Sequence, residues 1–274
     1  MAAKPRLGQN FLIDPQAVER IAAALGNLSG RTVAEIGPGQ GAITGALASR
    51  AAHVIAIEID RELASGLRRQ FAPERVSPER VTVVEQDVLG FDFAAAARLA
   101  GAKLAVAGNL PYYITSPILL KLAASHAALD TAVLMVQREV ADRLIAAPGS
   151  RDYGVLSVTM QMYGPTERLF TLPPSAFSPP PEVHSSVIRW RFAPRFIELD
   201  VEEAGFLRLV RQVFAQKRKT LANNLRAAGM AASDAAQAMS RAGIDARARA
   251  EELPLETLAG LWRALARGVA SQSD

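Results

Sequence analysis

The 274-residue chain contains no cysteine, which rules out disulfides and thiolate metal sites. Histidine is nearly as scarce. His53, His126 and His184 are scattered without ligand spacing, so no metal centre is expected. No apolar run reaches the roughly 18 residues a membrane span needs. The start Met1-Ala-Ala-Lys-Pro-Arg lacks a signal-peptide core. No fixed-period repeat is present, and low complexity is limited to Ala-rich helix and a polar tail, Ala270–Asp274, expected to fray. These absences point to a soluble, cytoplasmic protein of a reducing compartment with no membrane partner. What is present is ample core material. Half the residues are hydrophobic and 21% are charged, ordinary values for a globular chain. The net charge is +4 and the pI about 9.7, a hint of a polyanionic partner that needs positional support.

From about residue 31 to 137, β-branched runs alternate with Ala- and Leu-rich stretches. Thr32–Ile36, His53–Ile59, Val81–Glu85, Lys103–Ala107 and Thr131–Gln137 read as strands. The stretches between them are long enough for crossover helices. That alternation predicts an α/β fold with a parallel sheet covered on both faces. Arg138–Ala147 and Tyr153–Tyr163 read as helices, and Glu167–Leu172 with Val183–Phe192 as late strands, a hairpin closing one sheet edge. The stretch between those strands, Pro173 to Pro181, is too proline-rich for a helix or a central strand. Beyond about residue 200 only helical spacing remains, over Glu202–Gln216, Lys217–Ala227, Ser233–Ala242 and Leu255–Val269. The pattern divides the chain into a catalytic domain, 1–198, and a small all-α domain, 199–274.

Asn-Leu-Pro-Tyr at 109–112 directly follows the fourth of the first five strands. This arrangement suits methylation of an exocyclic amino group on a flat base. The Asn109 side-chain oxygen and the Leu110 carbonyl can accept the two amino hydrogens. Pro111 stiffens the turn, and Tyr112 offers a ring face. A plain strand-ending turn is the bland alternative. A second signal lies at Glu35-Ile36-Gly37-Pro38-Gly39-Gln40-Gly41, after the first of these strands. It does not have the Gly-x-Gly-x-x-Gly spacing of a dinucleotide site, and its leading acid would repel a pyrophosphate. S-adenosylmethionine, cationic and free of phosphate, fits it better. Glu58, ending the next strand, sits where an acid grips ribose hydroxyls. Asp87, after the third, can accept from an adenine amino group.

Through these motifs and others, the chain resembles the ribosomal RNA adenine dimethyltransferases, and most closely their bacterial small-subunit branch. The likeness runs through Gly8-Gln9-Asn10-Phe11-Leu12 with Asp14, the Glu35–Gly39 loop, Glu58-Ile59-Asp60, Gln86-Asp87 and Gly108–Tyr112. It continues through Met135–Arg143, Tyr153–Val158, Phe177-Ser-Pro-Pro-Pro181-Glu-Val183-His-Ser185 and Phe214–Leu225. The resemblance implies a Rossmann-like class I methyltransferase sheet that binds S-adenosylmethionine through Gln9, Asn10, Leu12, Gly37, Gly39, Glu58, Asp87 and Asn109. Asn109, Leu110, Pro111, Tyr112 and Phe177 would form the catalytic set, with Tyr112 and Phe177 sandwiching the base. The implied reaction is N6,N6-dimethylation of two adjacent adenosines in a hairpin loop near the 3′ end of 16S rRNA, within the small ribosomal subunit, by a monomeric enzyme.

Phe177 has a second reading, as an apolar plug under its loop. Arg208, Arg211, Lys217, Arg218, Lys219 and Arg226 are spaced to share a helical face suited to phosphates, although a solvated face has the same spacing. The chain departs from its relatives at Tyr113, where many carry Asn, at His184, where an acid is frequent, and at Gln216-Lys217, where paired arginines are common. These departures are expected to bear on substrate fit, not on the chemistry. Two other functions stay open: the related large-subunit dimethylase, against which Leu110 argues weakly, and an assembly or RNA-binding factor in which methylation is secondary.

Overall fold

The computed structural model describes residues 9–72 and 80–270. Gly8 of the N-terminal motif and residues 271–274 of the tail lie outside the described residues. The order begins β1 (Phe11–Leu12), α1 (Pro15–Ala24), β2 (Thr32–Ile36), α2 (Ala42–Ala48), β3 (His53–Glu58) and α3 (Arg61–Gln70). It continues β4 (Val81–Glu85), α4 (Phe93–Ala100), β5 (Leu104–Asn109), α5 (Thr115–Ala124) and β6 (Leu129–Gln137). Three aspartates punctuate the helices. Asp14, Asp60 and Asp92 each accept backbone N–H groups at the starts of α1, α3 and α4, and Pro15 takes the first position of α1, where no N–H is needed.

Helix α6 (Arg138–Leu144) is followed by α7 (Val155–Tyr163), β7 (Thr166–Leu172), β8 (Phe177–Ser178) and β9 (Ser185–Arg191). Among the described residues the main sheet has the order β4-β3-β2-β5-β6-β9-β7. Strands β2 to β6 run parallel. Strand β9 inserts antiparallel between β6 and β7, so the expected late hairpin leaves β7 at the edge. The central strands are apolar on both faces, with Val33, Val54, Val106 and Val133 fully buried, as helix-covered parallel strands require. The chain runs outward from β2 to β4, then returns to β5 on the other side of β2. That reversal opens a crevice at the carboxyl ends of β2 and β5, the usual ligand position in open α/β sheets. β1 pairs with β8 in a separate two-stranded sheet, Leu12 opposite Phe177.

The remaining helices are α8 (Glu203–Val213), α9 (Leu221–Ala227), α10 (Ala232–Arg241) and α11 (Leu255–Ala270). By contacts the chain forms two compact units. One runs up to Ala141 and includes Thr166–Phe192; the other takes Asp142–Pro165 and Ala193 onward. The boundary expected at 198/199 is thereby corrected, because α7 belongs with the helical unit. It packs against α8 and α11, and Tyr163 Oη donates to Glu203 at 2.6 Å. The helix expected over Lys217–Ala227 is also shorter. Thr220 caps α9, accepting from Asn223 N–H, which leaves Lys217–Lys219 in a preceding turn. No helix among the described residues is long and apolar enough to cross a membrane.

Candidate active site

A cleft of about 350 Å³ opens at the carboxyl ends of β2, β3, β4 and β5. Gln9, Asn10, Leu12, Gly37, Gly39, Glu58, Asp87 and Asn109 all line it, as do Leu110, Pro111 and Tyr112. No lysine, arginine or histidine is found among the described residues on its walls, where the acids are Glu58 and Asp87. Such a lining disfavours a pyrophosphate and suits a cationic ligand without phosphate. Two apolar side chains not anticipated from the sequence, Ile59 and Leu89, also line the cleft and remain exposed.

The glycine turn is held from two sides. Gly39 has φ 57°, and a Cβ there would meet the Phe11 ring at 3.0 Å, so both the conformation and the close approach of β1 require glycine. Glu58 Oε2 accepts from Gly39 N–H and Oε1 from Asp60 N–H, both at 3.0 Å. Burial raises the Glu58 pKa, and these backbone donors oppose the rise in part. Asp87 caps a short turn by accepting from Leu89 N–H at 2.9 Å through Oδ1. Beneath the loop, Glu35 is buried in β2 and does not line the cleft. Burial lifts its pKa to about 7; the Thr44 side chain opposes the rise and the Glu58 charge adds to it. Its Oε2 has no hydrogen-bond partner among the described residues. A buried acid left in this state is stabilised by positive charge nearby.

At the end of β5 the Asn109 carboxamide is oriented by the N-terminal segment. Its Nδ2 donates to the Asn10 carbonyl at 2.9 Å, which fixes which end of the amide is oxygen and leaves Oδ1 as the acceptor. Leu110 N–H donates to the Met135 carbonyl at 3.0 Å, tying the turn to β6. The Pro111 carbonyl accepts from Ile114 N–H at 3.2 Å and from the Thr115 hydroxyl at 3.0 Å. Tyr112 is half-buried, and its hydroxyl shares a 2.8 Å hydrogen bond with Ser185 Oγ. Burial pushes the Tyr112 pKa up, and Ser185 offsets part of that. Strand ends alone do not reveal this Ser185 contact, although the residue closes the Phe177–Ser185 motif.

Phe177 requires a correction. Its side chain is 2% exposed, packs in one core cluster with Leu12 and Ile21, and does not line the cleft. A base-stacking face must be open, so in this structure Phe177 is the apolar plug; it anchors β1 through the Leu12 pairing. The basic residues also differ from expectation. All six are exposed, but Arg208 and Arg211 lie on α8, Arg226 on α9, and Lys217–Lys219 in the turn before α9. They do not form one helical stripe. Tyr113, expected to lie away from the chemistry, lines the cleft, whereas at His184 the structure shows the backbone carbonyl accepting from Arg138 N–H.

The profile of the ribosomal RNA adenine dimethylase family matches residues 1–266. The ribosomal RNA small subunit methyltransferase A of Acidobacterium capsulatum is 59% identical, across 96% of this chain and 91% of its own length. That of Koribacter versatilis is 47% identical, across 97% and 96%. Among solved structures, a dimethyladenosine transferase from Plasmodium falciparum superposes with a TM-score of 0.78 at 23% identity, covering 92% of this chain and 95% of its own. The 23S rRNA methyltransferase ErmE gives 0.68 at 25% identity, covering 94% and 100%. The fold is thus that of the class I methyltransferases, and the chain belongs to the ribosomal RNA adenine dimethylase family.

Proposed function

We propose that this protein uses S-adenosylmethionine to dimethylate N6 of two adjacent adenosines in the hairpin loop near the 3′ end of 16S rRNA. It acts as a cytoplasmic monomer within small-subunit biogenesis. One observation carries the reading: the Asn109 carboxamide is held by the Asn10 carbonyl, its oxygen without a partner among the described residues, on a cleft that Tyr112 also lines and whose charged lining is acidic. The names of the 59% and 47% identical relatives favour the small subunit over the large.

The cofactor fits the residues present. Glu58 and Asp87 would hold its ribose and adenine, the Gly37–Gly41 turn its amino-acid portion, and the buried charge of Glu35 its cationic end. When bound, it supplies a methyl group already activated on a sulfonium. The difficulty then lies with the target, whose amino lone pair is delocalised into the ring. Asn109 Oδ1 and the Leu110 carbonyl accept its two hydrogens, which favours a pyramidal nitrogen with the lone pair free to attack. Tyr112 holds the ring plane, and the Ser185 contact holds Tyr112. This is catalysis by positioning and preorganised dipoles. The methylated nitrogen is acidic enough to lose its proton to water, so no side chain is assigned as a general base.

The base must leave its stack, at a cost that is smallest in a loop. Arg208, Arg211, Lys217, Arg218, Lys219 and Arg226, all exposed, contact phosphates of the RNA. The test is methyl incorporation into naked rRNA, immature small subunits and large subunits. Incorporation at N6 of adenosine in small-subunit substrates is expected. Labelling confined to large subunits would assign the protein to the other branch, and binding without labelling would make it an assembly factor.

A further inference from the structure

We propose that Tyr113 is a stacking platform for the nucleobase that neighbours the target adenosine, giving the cleft a second base subsite. The inference rests on the reading of this cleft as an adenosine methylation site. The aromatic rings around the cleft have different commitments. Phe177 is buried in the core, Phe11 lies against Gly39, and Tyr112 is tied to Ser185. Tyr113 lines the same cleft but is 62% exposed, and among the described residues its ring has neither a stacking nor a hydrogen-bond partner. A large, open, unpartnered aromatic beside a catalytic turn is a recognition feature when the substrate is a single strand of flat bases.

The turn geometry decides which base it meets. Tyr112, Tyr113 and Ile114 form one turn of 3₁₀ helix, in which consecutive side chains diverge by about 120°. Tyr112 and Tyr113 therefore cannot bracket one ring, and they present faces to two different bases. The turn is stiff, because Ile114 N–H and the Thr115 hydroxyl both donate to the Pro111 carbonyl. The Tyr113 ring is thus offered from a fixed backbone at little entropic cost. Extruding the target leaves its neighbour without a stacking partner on one side, and an aromatic face replaces the missing base. Every base has such a face, so this subsite is tolerant of sequence and favours purines only through their larger overlap.

The test uses an rRNA hairpin with 2-aminopurine in place of the nucleotide next to the target, titrated with wild type, Tyr113→Phe and Tyr113→Asn. Quenching on binding is expected for wild type and Tyr113→Phe and should vanish in Tyr113→Asn. RNA affinity should fall about 5- to 150-fold in the Asn variant, the range of one base–aromatic stack. Because the contact is uncharged, the salt slope should not change, and the defect should appear in KM and not in kcat. Unchanged quenching and affinity in Tyr113→Asn would overturn the proposal. A loss of cofactor affinity with RNA affinity intact would also overturn it, by placing the ring over the cofactor. If the wild type methylates no adenosine, the underlying reading fails, and the binding titration still decides Tyr113.

Discussion

Replacing Asn109 tests the proposed mechanism most directly, because among the described residues its carboxamide is held at one end and has no partner at the other. Asn109→Ala removes the Oδ1 acceptor and also the 2.9 Å hydrogen bond from Nδ2 to the Asn10 carbonyl. Removing one preorganised polar group at a reacting centre costs about 2.7–4 kcal/mol of barrier, or about 10²–10³ in rate. The missing hydrogen bond removes only about 0.5–1.5 kcal/mol of stability, so the fold should survive. Asn109→Asp makes the test sharper. It retains an acceptor oxygen but places a second oxygen where Nδ2 faced the Asn10 carbonyl. Repulsion there should swing the carboxylate out of register and make the Asp variant nearly as slow as Ala. Single-turnover methylation with saturating cofactor and RNA reads the chemical step, and thermal unfolding reports the fold. If Asn109→Ala keeps its full rate, the amino-group mechanism is wrong. If only Asn109→Asp keeps its rate, orientation by Asn10 has no catalytic weight.

Glu35 should make both stability and the binding of a cationic ligand depend on pH. Its pKa rises from 4.5 to about 7 in the folded chain, so between those values the folded state holds a proton that the unfolded state has released. Stability should therefore fall as pH rises from about 4.5 through about 7, by at most about 3–4 kcal/mol at about 1.4 kcal/mol per unit. A cationic ligand should bind more tightly across the same range. Urea midpoints and cofactor calorimetry at pH 5 and 8 check both effects, and Glu35→Gln should reduce both, leaving the contribution of Glu58, whose pKa is also raised. Phe177→Ala should lower stability by about 3–5 kcal/mol, as a core aromatic does. A drop under about 1 kcal/mol on chemical denaturation would return Phe177 to the surface of the cleft. Neutralising Lys217, Arg218 and Lys219 together should weaken RNA binding while leaving cofactor affinity alone. The logarithmic salt slope should fall by about 0.7–0.9 for each phosphate no longer neutralised. An unchanged slope would make the turn a solvated surface.

The strands and the residues at their ends are the most legible part of the chain. Thr32–Ile36 and Val81–Glu85 occupy the expected positions, one buried in the sheet and one at its edge, because both are short β-branched runs with no helical spacing. Glu58, Asp87 and Asn109 share the cleft because strand ends in such a sheet converge. Helix α1 carries its own signal in Asp14-Pro15, a capping residue followed by proline, ahead of the strand alternation that begins near residue 31. Long-range pairing is not legible. β1 is two residues long, and its partner, β8, lies beyond every strand of the parallel sheet. The burial of Phe177 depends on that pairing and on no local signal. The Lys217–Lys219 turn reads as helix from its spacing, which does not reveal that Thr220 caps the helix after it.

The β1–β8 pairing also sets an order of events during synthesis. Domains fold as the chain emerges, N-terminal parts first, and the glycine loop, Glu58 and Asn109 all emerge well before residue 177. The Asn10 carbonyl precedes them all, yet its segment is seated by Leu12 opposite Phe177 and by Ile13 N–H donating to the Ala176 carbonyl. Until Ser178 has left the ribosome, nothing in β8 holds that segment across the glycine turn. A nascent chain with the glycine loop, Glu58 and Asn109 already made therefore lacks the strand partner that seats the Asn10 segment. This side of the cleft is therefore completed late, when one of the last strands of its unit captures the first.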